Sequence, residues 1–229
     1  YSVFHKWTGV IPEGFTLHNY VDLFMDSNFL ASVGRSIAMS IIPIIVTIVI
    51  VLLALFVTAI YFPKLEKYVQ IICMIPYTIQ GVILSVSILS LYVGSSSILS
   101  NRLVMLMGAY CIVILPYIYQ GIRNGMRAVN MPTLIEAAEM LGASKIYAFF
   151  RVVVPNILSA IIVSSLLAVG IIFGDYVLIR NLAGTSAPNM QIFLYQTMKS
   201  DSTKASAVFV VIMFVTFVIT AIVLFMKSR

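Results

Sequence analysis

Five stretches of this chain contain no Asp, Glu, Lys or Arg: residues 36–63, 68–101, 103–122, 152–174 and 205–226. They run for 28, 34, 20, 23 and 22 residues, and a helix needs about 20 apolar residues to cross about 30 Å of hydrocarbon. Inside lipid the backbone must satisfy its own hydrogen bonds, so a continuous run such as IAMSIIPIIVTIVIVLLALFVTAIYF (37–62) crosses as a helix. The alternating strands of an outer-membrane barrel, about ten residues each, are absent from the pattern. Composition agrees, with 61% hydrophobic and 10% charged residues against about 45–50% and 25% in soluble domains. The sequence therefore predicts an all-α, polytopic transmembrane bundle with five visible spans.

Charge placement orients the spans. The basic residues sit singly at span ends, so the net charge of +6 reads as membrane topology and not as a nucleic-acid surface. Segments 63–67, 123–151 and 227–229 fall on one face and carry a net +5, while the opposite face carries +1. The positive-inside rule then puts the C-terminus and the 123–151 connection in the cytoplasm. The N-terminus would lie outside. The chain starts at Tyr1 and not at Met, so one further upstream span is expected, giving six in the intact protein. Cys73 and Cys111 lie within predicted spans and are read as small packing residues without a disulfide.

Two domains are expected. Residues 1–35 form an extracytoplasmic segment in which Phe15, Leu17, Tyr20, Leu23 and Phe24 recur opposite His18, Asp22 and Asp26, the pattern of a short interfacial amphipathic helix. His5 and His18 have no ligand-spaced partners. Residues 36–229 form the membrane domain. Its first span is nearly pure Ile, Val and Leu, but the second (about 69–93) holds Tyr77, Gln80 and Ser87, and the fourth (about 155–179) holds Ser164 and Ser165. Such residues face other helices or a watery path because lipid offers them no partner. Asp175, the one acid beside an apolar run, is expected at the outer end as a gate residue or as the partner of Arg180. GSSSILSN (94–101) reads as a short outer turn, and 180–204 as an outer loop holding a short helix at MQIFLYQTM.

The connection RNGMRAVNMPTLIEAAEMLGASKIYAFFRVVV (123–154) is the informative interval. Thr133 and Glu136 fit a capping box, with Pro132 tolerated at a helix start. The helix continues through Leu134, Ala137, Ala138 and Leu141 and stops at Gly142, a good left-handed position. A second helix from Ser144 to about Val153 presents Ile146, Phe149, Phe150 and Val153. The prediction is a helical hairpin whose Ala137–Ala138 face permits close approach.

This hairpin resembles the EAA loop of the membrane subunits of ATP-binding-cassette importers. The family pattern is Glu-Ala-Ala-x-x-x-Gly, followed by a second helix and Ile-x-Leu-Pro. Glu136, Ala137, Ala138, Gly142 and Pro155 match it, and Val152 and Val154 replace the aliphatic pair. FTLHNYVDLF, LPYIYQGIRNGMRAV and the GDY at 174–176 extend the resemblance over essentially the whole chain. It implies a type I importer permease of the bacterial cytoplasmic membrane. Glu136, Ala137, Ala138, Leu141, Gly142 and Ala143 would seat in a groove of an ATPase subunit. Two such ATPases, a second permease subunit and an extracytoplasmic substrate-binding protein are the implied partners besides the lipid. No cofactor is expected on this chain, and ATP and Mg would sit on the ATPase. In such a pair, Tyr77, Gln80, Ser87, Ser164, Ser165 and Asp175 are the candidates for the substrate path. The branch resembled most is that of polyamine, aminoethylphosphonate and ferric-iron importers, with maltose-type sugar importers as the alternative.

Other classes fit less well. No His, Glu or Lys lies in any predicted span, which leaves an intramembrane enzyme without a nucleophile–base pair or a metal-ligand set. No repeated filter or charged ring marks a channel. A phosphate-binding G-x-x-x-x-G-K-S/T run is missing, so ATP hydrolysis belongs to a partner.

Overall fold

The computed structural model describes residues 2–6, 13–16, 18–79, 81–94, 100–184 and 188–227. Near the N-terminus a short antiparallel ribbon, β1 (Phe4–Lys6) and β2 (Glu13–Phe15), pairs Phe4 with Phe15 and Lys6 with Glu13. The other regular elements among the described residues are helices. Helix α1 (His18–Met25) buries Leu23 and turns His18 outward, but the expected apolar face is not reproduced: Phe15 lies in β2, Phe24 is exposed, and Leu17 lies outside the described residues.

Helix α2 (Ser27–Ile60) starts well before the apolar run, because the Asp26 carboxylate caps it by accepting the Asn28 N–H at 2.9 Å. The domain boundary expected at 35/36 thus falls inside one helix of 34 residues. Hydropathy marks where lipid begins, whereas the backbone ladder begins at its cap. Arg35 stays helical, and its Nε donates to the Pro188 carbonyl at 2.9 Å. A stripe of buried serines, Ser32, Ser36 and Ser40, bonds back to α2's own carbonyls. Ser36 also accepts the Met190 N–H at 3.0 Å, which seats a later helix against this stripe.

The spans expected at about 69–93 and 155–179 are each broken. After a 3-10 turn at Pro63–Leu65, α3 (Glu66–Met74) gives way to a second 3-10 turn at Ile75–Thr78. Helix α4 (Gly81–Tyr92) then leaves at 101°. Pro76 lacks the N–H that would continue α3, which accounts for the break. The fourth span begins as α7 (Lys145–Ala148), widens into a π-helical turn at Phe149–Val153, and passes through the short α8 (Val154–Asn156). It turns by 65° into α9 (Leu158–Gly174). Asp175 ends α9, and α10 (Val177–Leu182) starts anew, so the apolar run expected to reach 179 is two helices.

Helix α5 (Arg102–Ala128) is the centre of the bundle and packs on α2 and α9. Its Leu106, Ala109, Ile114, Ile118 and Ile122 are wholly enclosed. Glycine sets its distance to α9. A Cβ on Gly121 would lie 2.4 Å from Ser164 Cβ, and one on Gly125 would lie 2.6 Å from Ala160 Cβ. Small residues at such crossings let helices pack in lipid without a hydrophobic driving force. Helix α6 (Met131–Met140) lies between α5 and α7, and α11 (Met190–Ser200) and α12 (Ser202–Lys227) close the chain. A second core of Leu23, Phe29, Phe173, Met190, Ala207, Val208 and Ile212 joins α1, α2, α9, α11 and α12.

Among the described residues three helices are long and apolar enough to cross a membrane alone, α2, α5 and the Ser202–Ile222 part of α12, and the number rises to as many as five if each bent pair is one span. Ile45, Ile50, Phe214 and Phe217 project outward with more than half their surface bare, as an apolar solvent requires. Cys73 and Cys111 are free thiols.

Candidate coupling hairpin and path residues

The hairpin is present at 131–153, but it starts differently from the sequence pattern. Asn130, at φ 49° and ψ 61°, is a left-handed residue without a side-chain cap bond, and α6 is already helical from Met131. Pro132 sits in the first turn, and Thr133 lies inside the helix, so the Thr133–Glu136 capping box does not form. The other end is as expected. Gly142 has φ +83°, the Gly142 N–H donates to Glu139 O at 2.9 Å, and the Ala143 N–H donates to Ala138 O at 3.0 Å. This is a Schellman stop. Ser144 then caps α7 by accepting the Tyr147 N–H.

The two alanines of the motif divide their roles. Ala138 is buried with Met131 and Ile135, against α7 and the π turn, whereas Ala137 is exposed with Glu136 and Glu139. The expected shared small face is therefore one outward alanine and one inward. On the second helix Ala148, Phe149 and Val153 point inward, while Ile146 and Phe150 are outward. The π turn changes the helical period there, which is why the expected grouping of Ile146 and Phe150 with Phe149 fails. Phe149 stacks against Phe56 of α2 with centroids 4.8 Å apart, so the hairpin is fastened to a span. Its tip is bare: Met140 and Leu141 are each 90% exposed. Lys145 Nζ stands 3.9 Å from Glu139 beside that tip.

A second fastening was not singled out from sequence. Arg123 donates to Glu66 Oε1 from Nε at 2.8 Å and from Nη2 at 2.6 Å, and Arg127 reaches the same oxygen at 3.4 Å. Arg123 is only 16% exposed. The bond joins α3 to α5 at the base of the hairpin, beside a cleft of about 330 Å³ lined in part by Thr58, Asn130 and Pro132. The signal was available, because segments 63–67 and 123–151 fall on the same predicted face.

The expected path residues do not converge within this chain. Tyr77 is half exposed in the 3-10 turn and meets the Tyr117 ring at 4.9 Å. Gln80 lies outside the described residues. Ser87 is exposed, and its neighbour Ser85 is the inward one, accepting from Asn181 Nδ2 at 2.8 Å. Ser164 is fully enclosed at the α5–α9 crossing and donates to Ala160 O at 2.9 Å. Ser165 is half-buried and donates to Ile161 O at 2.7 Å. Asp175 accepts the Tyr110 hydroxyl at 3.2 Å and caps α10 through the Leu178 and Ile179 N–H groups. The reading of Asp175 as the partner of Arg180 is therefore corrected. Arg180 instead lies over the rings of Tyr176 and Tyr195. Among the described residues no group of three or more His, Cys, Asp or Glu is placed to hold a metal.

These features define a multi-pass helical membrane subunit with a rigid hairpin carried between two spans. The chain belongs to the family of binding-protein-dependent transport system inner membrane components, which matches residues 65–228, and so is a permease component of an ABC importer. Two solved structures share the fold. One is a bacterial alginate ABC transporter in complex with an alginate pentasaccharide-bound periplasmic protein, with TM-score 0.67, 19% identity and coverage of 93% of this chain and 82% of that one. The other is a bacterial ABC transporter involved in importing the acidic polysaccharide alginate, with TM-score 0.66, 18% identity and coverage of 94% and 83%. No curated protein matches the chain significantly.

Proposed function

We propose that this chain forms half of a translocation path and is driven through its 131–153 hairpin by a cytoplasmic ATPase. The observation that carries the reading is the contrast between the hairpin's fixed base and its bare tip. Phe149 is wedged against Phe56, and Arg123 holds Glu66 nearby, while Met140 and Leu141 stand 90% exposed. An exposed apolar pair at the end of a capped helix suits a groove on a water-soluble partner. Glu136 and Ala137, on the outward face, would lie along that groove. A stiff arm fixed to the spans transmits motion where a flexible loop would absorb it. Closing of two ATPases around ATP and Mg would then tilt the spans between inward-open and outward-open states.

In this reading the hairpin and the C-terminus are cytoplasmic, as the +5 face suggests. A second permease subunit covers the apolar and polar surface that α4 leaves bare, including Ser87, and a binding protein delivers cargo from outside. The cargo proposed is a small charged solute of the polyamine, aminoethylphosphonate or ferric-iron kind. Its support is the run ILPYIYQGIRNGMRAVNMPTLIEAAEMLGAS. A sugar importer is the second reading, favoured by the fold likeness to alginate permeases. Reconstitution of the complete transporter tests the coupling. Leu141→Glu is expected to abolish ATP-driven uptake at least tenfold while the complex's permease pair still assembles. Unchanged uptake contradicts the reading.

A further inference from the structure

We propose that Arg180 and Lys199 form a binding site for an oxyanion, the carboxylate, phosphate or phosphonate group of a small ligand, at the end of the molecule away from the hairpin. Helix α9 separates this site from the hairpin by its 17 residues, about 25 Å of rise.

The geometry is that of cations gathered without a counter-charge. The Arg180 guanidinium lies 4.6 Å from the Tyr195 ring centre, and Lys199 Nζ lies 4.6 Å from the same ring. Arg180 also donates to the Tyr176 hydroxyl, and the Tyr176 and Tyr195 rings are 5.2 Å apart. Both exposed cations thus share one aromatic platform, whose ring faces attract each of them. A third cation stands close by: Arg102 Nη1 is 3.7 Å from where a Cβ on Gly184 would be. Gly184, which lines the cleft, has φ +56°, so a side chain is disfavoured there.

Among the described residues no carboxylate is paired with these charges. None of the ion pairs among the described residues uses Arg180, Lys199 or Arg102. Asp175 is engaged by Tyr110 and by the N–H groups of Leu178 and Ile179. Asp201 is held by Thr203 and the Lys204 N–H. The cleft between α10 and α11 has a volume of about 390 Å³ and is lined by Tyr176, Arg180, Gly184, Tyr195, Gln196 and Lys199 among others. That volume admits a small anion with its hydration. Arg180 offers a planar fork of donors, Lys199 a mobile point charge and Gln196 an amide, the donor set that charge-assisted oxyanion binding uses. The site stands whether or not the hairpin couples to an ATPase.

Tyr195 is a built-in reporter. Arg180 and Lys199 favour its phenolate and lower its pKa to about 8. The phenolate's attraction to these cations is present above that pH and fades as the pH falls through about 8. An oxyanion that occupies the cations competes with the phenolate, so its binding must raise the Tyr195 pKa.

The test is a phenolate absorbance titration of the full chain in zwitterionic lipid nanodiscs, with Tyr195→Phe subtracted to isolate the Tyr195 signal. Saturable movement of the midpoint from about 8 toward the ordinary 10 on adding sodium phosphate, with no such movement in chloride of equal ionic strength, is the expected result. Arg180→Gln and Lys199→Gln by themselves return the Tyr195 midpoint toward 10, so their part is read from binding. Loss of saturable phosphorus-31 line broadening by phosphate in these variants places the anion at these cations, and unchanged broadening overturns the proposal. A midpoint shift produced by nanodiscs containing phosphatidylglycerol that persists in chloride strong enough to screen the membrane's surface potential also supports the oxyanion site and assigns it to a lipid headgroup, whereas a shift that such chloride removes is surface potential alone and counts against it. Equal effects of phosphate and chloride, or no effect of either phosphate or anionic lipid, overturn the proposal.

Discussion

At the scale of single residues, two glycines carry opposite kinds of constraint. Gly142 meets nothing where a Cβ would go, but its φ of +83° is left-handed. Gly142→Ala is therefore expected to cost about 1–2 kcal/mol of local backbone energy without a steric clash, read as faster amide exchange confined to 138–145. Gly121 is the reverse case, with ordinary backbone and no room. Gly121→Ala should destabilise the bundle by about 1–3 kcal/mol, measured as a lowered unfolding midpoint in detergent. Ser164→Gly should restore much of it, because the clash is with Ser164 Cβ at 2.4 Å. Gly142 was legible in the sequence, since a helix stop before a capping serine has a local signature. The use of Ser164 was not, because polarity in mid-span says that a residue avoids lipid and not which neighbour it meets. The same ambiguity hides Ser85, whose hydroxyl meets Asn181, next to the outward Ser87.

Among the elements, the breaks are the finding. Hydropathy assigned one span to 69–93 and another to 155–179, whereas each is two helices meeting at 101° and 65°. A running average of apolar character is blind to direction, and only Pro76 and Pro155 hinted at the turns. The hairpin's existence was legible because its periodicity and its Gly142 stop are local. Its start was misplaced because Pro132 suits the first helical turn as well as it suits a position before one. The α3–α5 fastening also belongs to this scale. Glu66→Gln should leave Arg123 without its charged partner and lower stability by about 1–2 kcal/mol. The loss should appear as increased exchange in α3 with α2 and α12 unaffected. Equal loosening of all spans would instead show that Glu66 acts on the bundle as a whole.

For the whole molecule, the five charge-free runs correspond to three unbroken helices long and apolar enough to cross a membrane and two bent pairs, up to five crossings if each pair is one span. The bends place α3 and the hairpin together at one end, and α10 and α11 with their uncompensated cations at the other. The two ends thus differ in chemistry, as a vectorial carrier demands: an apolar knob on a fixed arm at one, a basic, aromatic cleft at the other. The central claim is that the knob sits in an ATPase groove. Cysteine crosslinking in membranes tests it most directly, with Leu141→Cys in a background where Cys73 and Cys111 are replaced by Ser. Co-expressed ATPase subunits carrying single surface cysteines supply the partner. The expected result is a specific crosslink from Leu141→Cys to one groove of the ATPase, with none from a control cysteine at the exposed Val86. Failure of Leu141→Cys to crosslink to any ATPase position, in a complex that still hydrolyses ATP and takes up substrate, would contradict it.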